Sequence, residues 1–125
     1  MENKYIPGVC NIGKKEIEYR RNFGIAGATL AVVTAVFLFL LGVPNTYRII
    51  IFLPVAASAF GFLQAQLHFC AEFAMTGVFN FSDKLRQTET VTQAEYRKKD
   101  QVKALKILLY SFTIASIATV VFILI

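Results

Sequence analysis

Three stretches of this chain run without a single Asp, Glu, Lys or Arg for about as long as a bilayer is thick: Phe23 to Val43, Ile49 to Ala71 and Ile107 to Ile125. At about 1.5 Å of rise per residue, a helix over any of them covers roughly the 30 Å of a hydrocarbon core. A soluble domain of 125 residues needs polar residues to cover a large relative surface. Here only 17% of residues are charged and 56% are hydrophobic, against about 25% and 45–50% in an average soluble domain. That balance excludes a soluble enzyme, a disordered tail, a disulfide-rich secreted scaffold and a basic nucleic-acid module, so no nucleic-acid partner is expected. The reading is an all-α integral membrane protein with three transmembrane helices, about 23–43, 49–71 and 105–125, in a small bundle. The whole of 1–125 forms one three-span domain, with a cytoplasmic arm over 1–22 and a cytoplasmic loop over 72–104.

The first span starts late, exceeds an ordinary signal-peptide core and has no small-residue cleavage site before Pro44, so it is expected to be retained. Gly42 to Tyr47 leaves room for nothing but a tight hairpin, which makes the first two helices antiparallel neighbours. Pro54 removes a backbone donor inside the second span and is expected to kink it near its outer end.

Basic residues orient the spans. Twelve of the 13 flank one side: Lys4, Lys14, Lys15, Arg20 and Arg21 before span one, and Lys84, Arg86, Arg97, Lys98, Lys99, Lys103 and Lys106 between spans two and three. Arg48 alone lies opposite. A bacterial cytoplasmic (inner) membrane location follows, with the N-terminus in the cytoplasm and the C-terminus outside. All eight acidic residues share the basic side, so attraction to anionic lipid is modest.

Helices associate in lipid where small residues recur every four positions. Each span has such a stripe: Gly27, Ala31 and Ala35; Ala57, Gly61 and Ala65; Ser111, Ala115 and Thr119. On the cytoplasmic side, turns over Ile6 to Gly13 precede a short polar helix from Lys14 in which Glu16 and Arg20 pair at i,i+4. Phe69, Phe73, Phe79 and Phe81 cluster around Gly77 as an interfacial, lipid-lying stretch. Thr92 and Glu95 fit a capping box, so the third helix is expected to begin near Gln93 and project into the cytoplasm.

One constellation has chemical potential. Gln64, His68 and Glu72 fall on one stripe of a continuous helix, while Cys70 points elsewhere on that helix. Were the arm to fold back, Cys10, His68 and Cys70 would offer thiolate and imidazole ligands to a metal, or a thiol redox pair; haem ligation is a further form of this alternative. Against it, His-x-Cys is no established ligand motif, a structural zinc site takes four ligands, and a solvated His68–Glu72 pair with two reduced cysteines accounts for the same residues. Asn80-Phe81-Ser82 matches a glycosylation acceptor on the side where it would go unused, and in a eukaryote either cysteine would be a candidate for palmitoylation. No phosphate loop or catalytic triad spacing appears. An oligomeric channel or carrier would need polar lining, and spans one and three provide only Thr29, Thr34, Ser111, Thr113, Ser116 and Thr119. The expected role is therefore a non-catalytic accessory, assembly or scaffold subunit with no cofactor, whose partners are the lipid bilayer and other membrane-protein subunits or a second copy of itself.

Overall fold

A computed structural model describes residues 5–125. It is mostly helical: α1 (Lys14–Leu40), a 3-10 helix (Asn45–Ile51), α2 (Phe52–Leu67), α3 (Ala71–Thr76), a two-stranded antiparallel ribbon of β1 (Val78–Phe79) and β2 (Glu89–Thr90), and α4 (Ala94–Leu124). Three helices are long and apolar enough to cross a membrane: α1, the 3-10 helix with α2, and α4.

α1 begins one residue after Gly13, with Glu16 in its first turn, where the exposed backbone N–H groups favour negative charge. It ends where Gly42 takes a positive φ of 63°. There the Gly42 N–H bonds to Phe39 O and the Val43 N–H to Leu38 O, the paired bonds of a Schellman turn. Pro44 then cannot extend the helix, and the chain reverses into the 3-10 segment. This is the hairpin expected from the sequence, and the outer end of the second span is 3-10 rather than α-helical. Pro54 is the third residue of α2, immediately after the 3-10 segment, where a missing N–H interrupts no established α-helical ladder.

α2 is the central helix. It packs along both α1 and α4, while α1 and α4 make no substantial contact with each other. The three helices thus form a layer rather than a closed triangle. The α1–α2 crossing is made by backbone approach. A Cβ on Gly27 would lie 2.8 Å from the Ser58 backbone nitrogen, and one on Gly61 would lie 2.7 Å from that of Gly24. The Ser58 hydroxyl donates to Gly24 O across the same crossing (2.8 Å). Ala31, Ala65, Ser111, Ala115 and Thr119 are buried, whereas Ala35 and Ala57 are only half-buried. The α2–α4 contact includes stacked Phe52 and Phe112 rings, with centroids 5.9 Å apart.

At the hairpin end, buried Arg48 donates to Phe122 O (3.1 Å) near the end of α4, and its guanidinium lies over the Phe122 ring. A cation at a helix C-terminus is favoured by the exposed carbonyls there.

The large buried side chains gather at the opposite, polar end. Ile12, Ile17, Ala65, Cys70 and Phe73 form one cluster, and Phe69, Ala71, Ala74, Ala104 and Ile107 form another. Phe69 and Phe73 are therefore core residues of the protein, and Phe79 stacks on Tyr5 at 4.6 Å. The lipid-lying aromatic stretch expected from the sequence is corrected accordingly: these rings are covered by the arm and by α4. The capping box is also absent, since α4 is capped at Gln93 with no side-chain bond.

Candidate functional site

The second span does not continue as one helix to Ala71. α2 stops at Leu67, and His68 takes the left-handed conformation, with φ 54° and ψ 43°. Phe69 N–H bonds to Gln64 O and His68 N–H to Ala65 O, so His68 fills the place usually taken by glycine in a Schellman turn. The chain restarts at α3, whose Cys70 cap accepts the Phe73 N–H on its sulfur (3.4 Å). Gln64, His68 and Glu72 consequently share no helical stripe. Gln64 turns back to accept the Ala71 N–H through Oε1 (2.9 Å). Glu72 pairs with Arg86 at 3.3 Å rather than with His68, and both side chains are well exposed, so the pair contributes little.

The arm is held against this break. The Asn11 N–H bonds to His68 O (3.2 Å), the Cys70 N–H donates to Asn11 Oδ1 (2.6 Å), and Asn11 Nδ2 donates to Cys70 O (3.0 Å). One asparagine thus satisfies both backbone groups of Cys70 from 59 residues away. Asn80 ties the segment after β1 to α1: its Nδ2 donates to Glu16 Oε2 (2.8 Å) and to Lys84 O (2.9 Å), and its Oδ1 accepts from Ser82. Its side chain is buried and fully occupied, which removes it as a sugar acceptor in the folded protein.

At the centre sit Glu16 and Arg20, the i,i+4 pair expected in a short polar helix, here only 2% and 6% exposed. The Glu16 carboxylate accepts from Arg20 Nη1, Asn80 Nδ2 and the Arg86 N–H. Arg20 Nη2 donates to Cys70 Sγ (2.8 Å), and the guanidinium lies 5.1 Å from the centre of the Phe73 ring. Among the described residues, the buried side-chain nitrogens lacking a hydrogen-bond partner are the Nε atoms of Arg20 and Arg48, and both guanidinium groups rest on aromatic faces instead. Sequence reasoning found the Glu16–Arg20 spacing but missed its burial and the roles of Asn11 and Asn80.

This geometry bears on Cys10, His68 and Cys70. The arm does lie beside the end of α2, as a shared site requires, and Cys10 neighbours Asn11. The Cys70 sulfur, however, faces a guanidinium, so a metal cation bound to it would sit against an existing positive charge. Among the described residues no group of three or more His, Cys, Asp and Glu side chains is arranged to hold a metal, and the two cysteines are not disulfide-linked. Cys70 is 1% exposed, which shields it from acylation or oxidation in the folded state.

A second latch joins the arm to α4. The Tyr5 hydroxyl donates to Asp100 Oδ2 (2.6 Å), and the Gly8 N–H donates to Asp100 Oδ1 (2.8 Å), burying Asp100 completely. Burial, followed by the hydrogen bond and the negative charge of Asp100, pushes the Tyr5 phenol well above the ordinary tyrosine range. The latch therefore stabilises the fold below about pH 10, the unfolded tyrosine value, and that contribution is lost as pH rises through the folded value. In an alkaline titration followed at 295 nm, Tyr5 is expected to ionise later than an ordinary tyrosine. The wild-type minus Tyr5→Phe difference spectrum isolates it, and a midpoint near 10 would show that the latch is not formed.

Compared with protein-family models, curated proteins and solved structures, the chain matches none of them.

Proposed function

We propose that this chain is a small non-catalytic accessory, assembly or scaffold subunit of a membrane-protein complex, inserted through three spans in a bacterial cytoplasmic membrane. The arm and the segment around the ribbon face the cytoplasm, and the C-terminus faces out. The observation that carries the reading is the use made of polar residues at the polar end. Glu16, Arg20, Asn11, Asn80, Gln64 and Asp100 are all buried and bonded within the chain, which makes them a clamp on the fold.

The helix layer adds support. With α2 between two helices that do not close on each other, α1 and α4 present long apolar faces such as Val32, Val36 and Phe39, or Leu109, Ile117 and Val120. Lipid covers such faces, and so do the helices of a neighbouring subunit.

Two measurements test this. A topology reporter inserted near Thr88 is expected to read as cytoplasmic and one after Ile125 as extracytoplasmic; the reverse pattern would overturn the orientation. Blue-native electrophoresis of gently solubilised membranes is expected to place the chain in one discrete assembly much larger than a 14.0 kDa protein with its detergent. Migration as a monomer would overturn the subunit reading.

A further inference from the structure

We propose that the cleft between the N-terminal half of α4, the end of α2 and the arm binds an anionic glycerophospholipid. The cleft has a volume of about 820 Å³, within the roughly 300–1,000 Å³ usual for ligand sites. Its rim carries Lys98, Lys99, Lys103 and Lys106 against a single carboxylate, Glu95.

Lys99 and Lys103 are separated by four positions and Lys103 and Lys106 by three, so they crowd one helix face, where like charges repel. Asp100, in the same stretch, is turned toward the arm: its two oxygens accept from Tyr5 and Gly8 and its side chain is fully buried, so it forms no ion pair with these lysines at the surface of the cleft. An anion in the cleft would relieve this repulsion.

The apolar part of the lining selects a lipid over a free phosphate. It consists of Leu67, Val102, Ile107 and Tyr110, with Pro7 and Gly8 of the arm. From Ile107 onward α4 carries no charged residue to its end, so the cleft passes from lysines into the apolar span within one or two helical turns. A phosphodiester fits the basic rim while an acyl chain follows the apolar wall, the arrangement by which basic pockets beside membrane helices take acidic headgroups. The proposal depends on membrane insertion and not on the accessory role.

The test uses the full chain in neutral detergent, with native mass spectrometry reading the bound fraction of phosphatidylglycerol, phosphatidylcholine or glycerol 1-phosphate. Phosphatidylglycerol is expected to bind at least tenfold more tightly than either of the others. At roughly fivefold per lysine, the triple variant Lys99→Gln, Lys103→Gln, Lys106→Gln is expected to weaken it about 100-fold. A control triple with the same charge loss on exposed positions of α1, Lys14→Gln, Lys15→Gln, Arg21→Gln, is expected to change it less than about threefold. Glu95→Gln, at an exposed position in the first turn of α4, removes the one carboxylate of the lining and is expected to tighten binding several-fold. Equal losses in the two triples, phosphatidylcholine binding as tightly, glycerol 1-phosphate binding as tightly, or no gain from Glu95→Gln would each overturn the site. Extraction of the chain from native membranes by alkaline carbonate would overturn insertion itself, and the lipid site with it, whereas a monomer on blue-native gels would leave the lipid site standing.

Discussion

Arg20→Met is expected to lower the unfolding free energy by about 3–5 kcal/mol, the cost of leaving one member of a buried ion pair uncompensated. Arg20 is 6% exposed, and its guanidinium serves three groups at once: the Glu16 carboxylate, the Glu16 carbonyl and Cys70 Sγ. Without it, the carboxylate keeps only the Asn80 amide and the Arg86 N–H in a buried setting. The effect should exceed a helix-surface pair at the same spacing by several-fold, since exposed i,i+4 pairs contribute about 0.3–0.5 kcal/mol. The double variant Glu16→Gln, Arg20→Met is expected to recover part of the loss, because it removes the stranded charge while an amide still accepts from Asn80 and Arg86. Denaturant unfolding in detergent micelles measures both. A loss below about 1 kcal/mol for Arg20→Met would mean that the pair is solvated, and the clamp at the polar end would have to be abandoned.

Gly61→Leu is expected to separate α1 from α2. Even a single Cβ at position 61 would stand 2.7 Å from the Gly24 nitrogen and 2.9 Å from the Arg20 carbonyl, and both are backbone atoms that move only with the helix. Gly61→Ala should therefore already cost on the order of 1–3 kcal/mol, as overpacking does elsewhere, and Leu more. Gly27→Ala meets the Ser58 backbone and belongs with it. For Gly24→Ala the nearest atoms belong to the ring of Phe62, a side chain 40% exposed, rather than to backbone, so it should cost less. Separation of the helices would also break the Ser58–Gly24 bond and shift Arg20, whose carbonyl lies at the crossing. Thermal melting in detergent is expected to rank Gly61→Leu below Gly61→Ala, and both below Leu63→Ala, which trims a partly buried side chain. A wild-type melting temperature for Gly61→Leu would place the α1–α2 contact on another face.

Much of this architecture is written along the chain because its causes are local. Exclusion of charge over 19 residues or more, Gly42 and Pro44 at a reversal, and a polar start at Lys14 are one-dimensional signals, and they locate the three long helices and the hairpin. The small residues at 27, 61 and 115 mark close approach for the same reason: a missing side chain is visible in the sequence. The polar end is different. His68 ends α2 without a glycine or proline, held by Asn11 and by the Gln64 side chain, so nothing within a few residues announces the break. The burial of Glu16 and Arg20 depends on Cys70, Asn80 and Arg86, which are 50 to 70 residues distant. Phe69 and Phe73 look the same in sequence whether lipid or protein covers them, and the burial of Asp100 depends on an arm at the other end of the chain. Long-range hydrogen bonds decided these features, and periodicity cannot register a partner that lies outside its window.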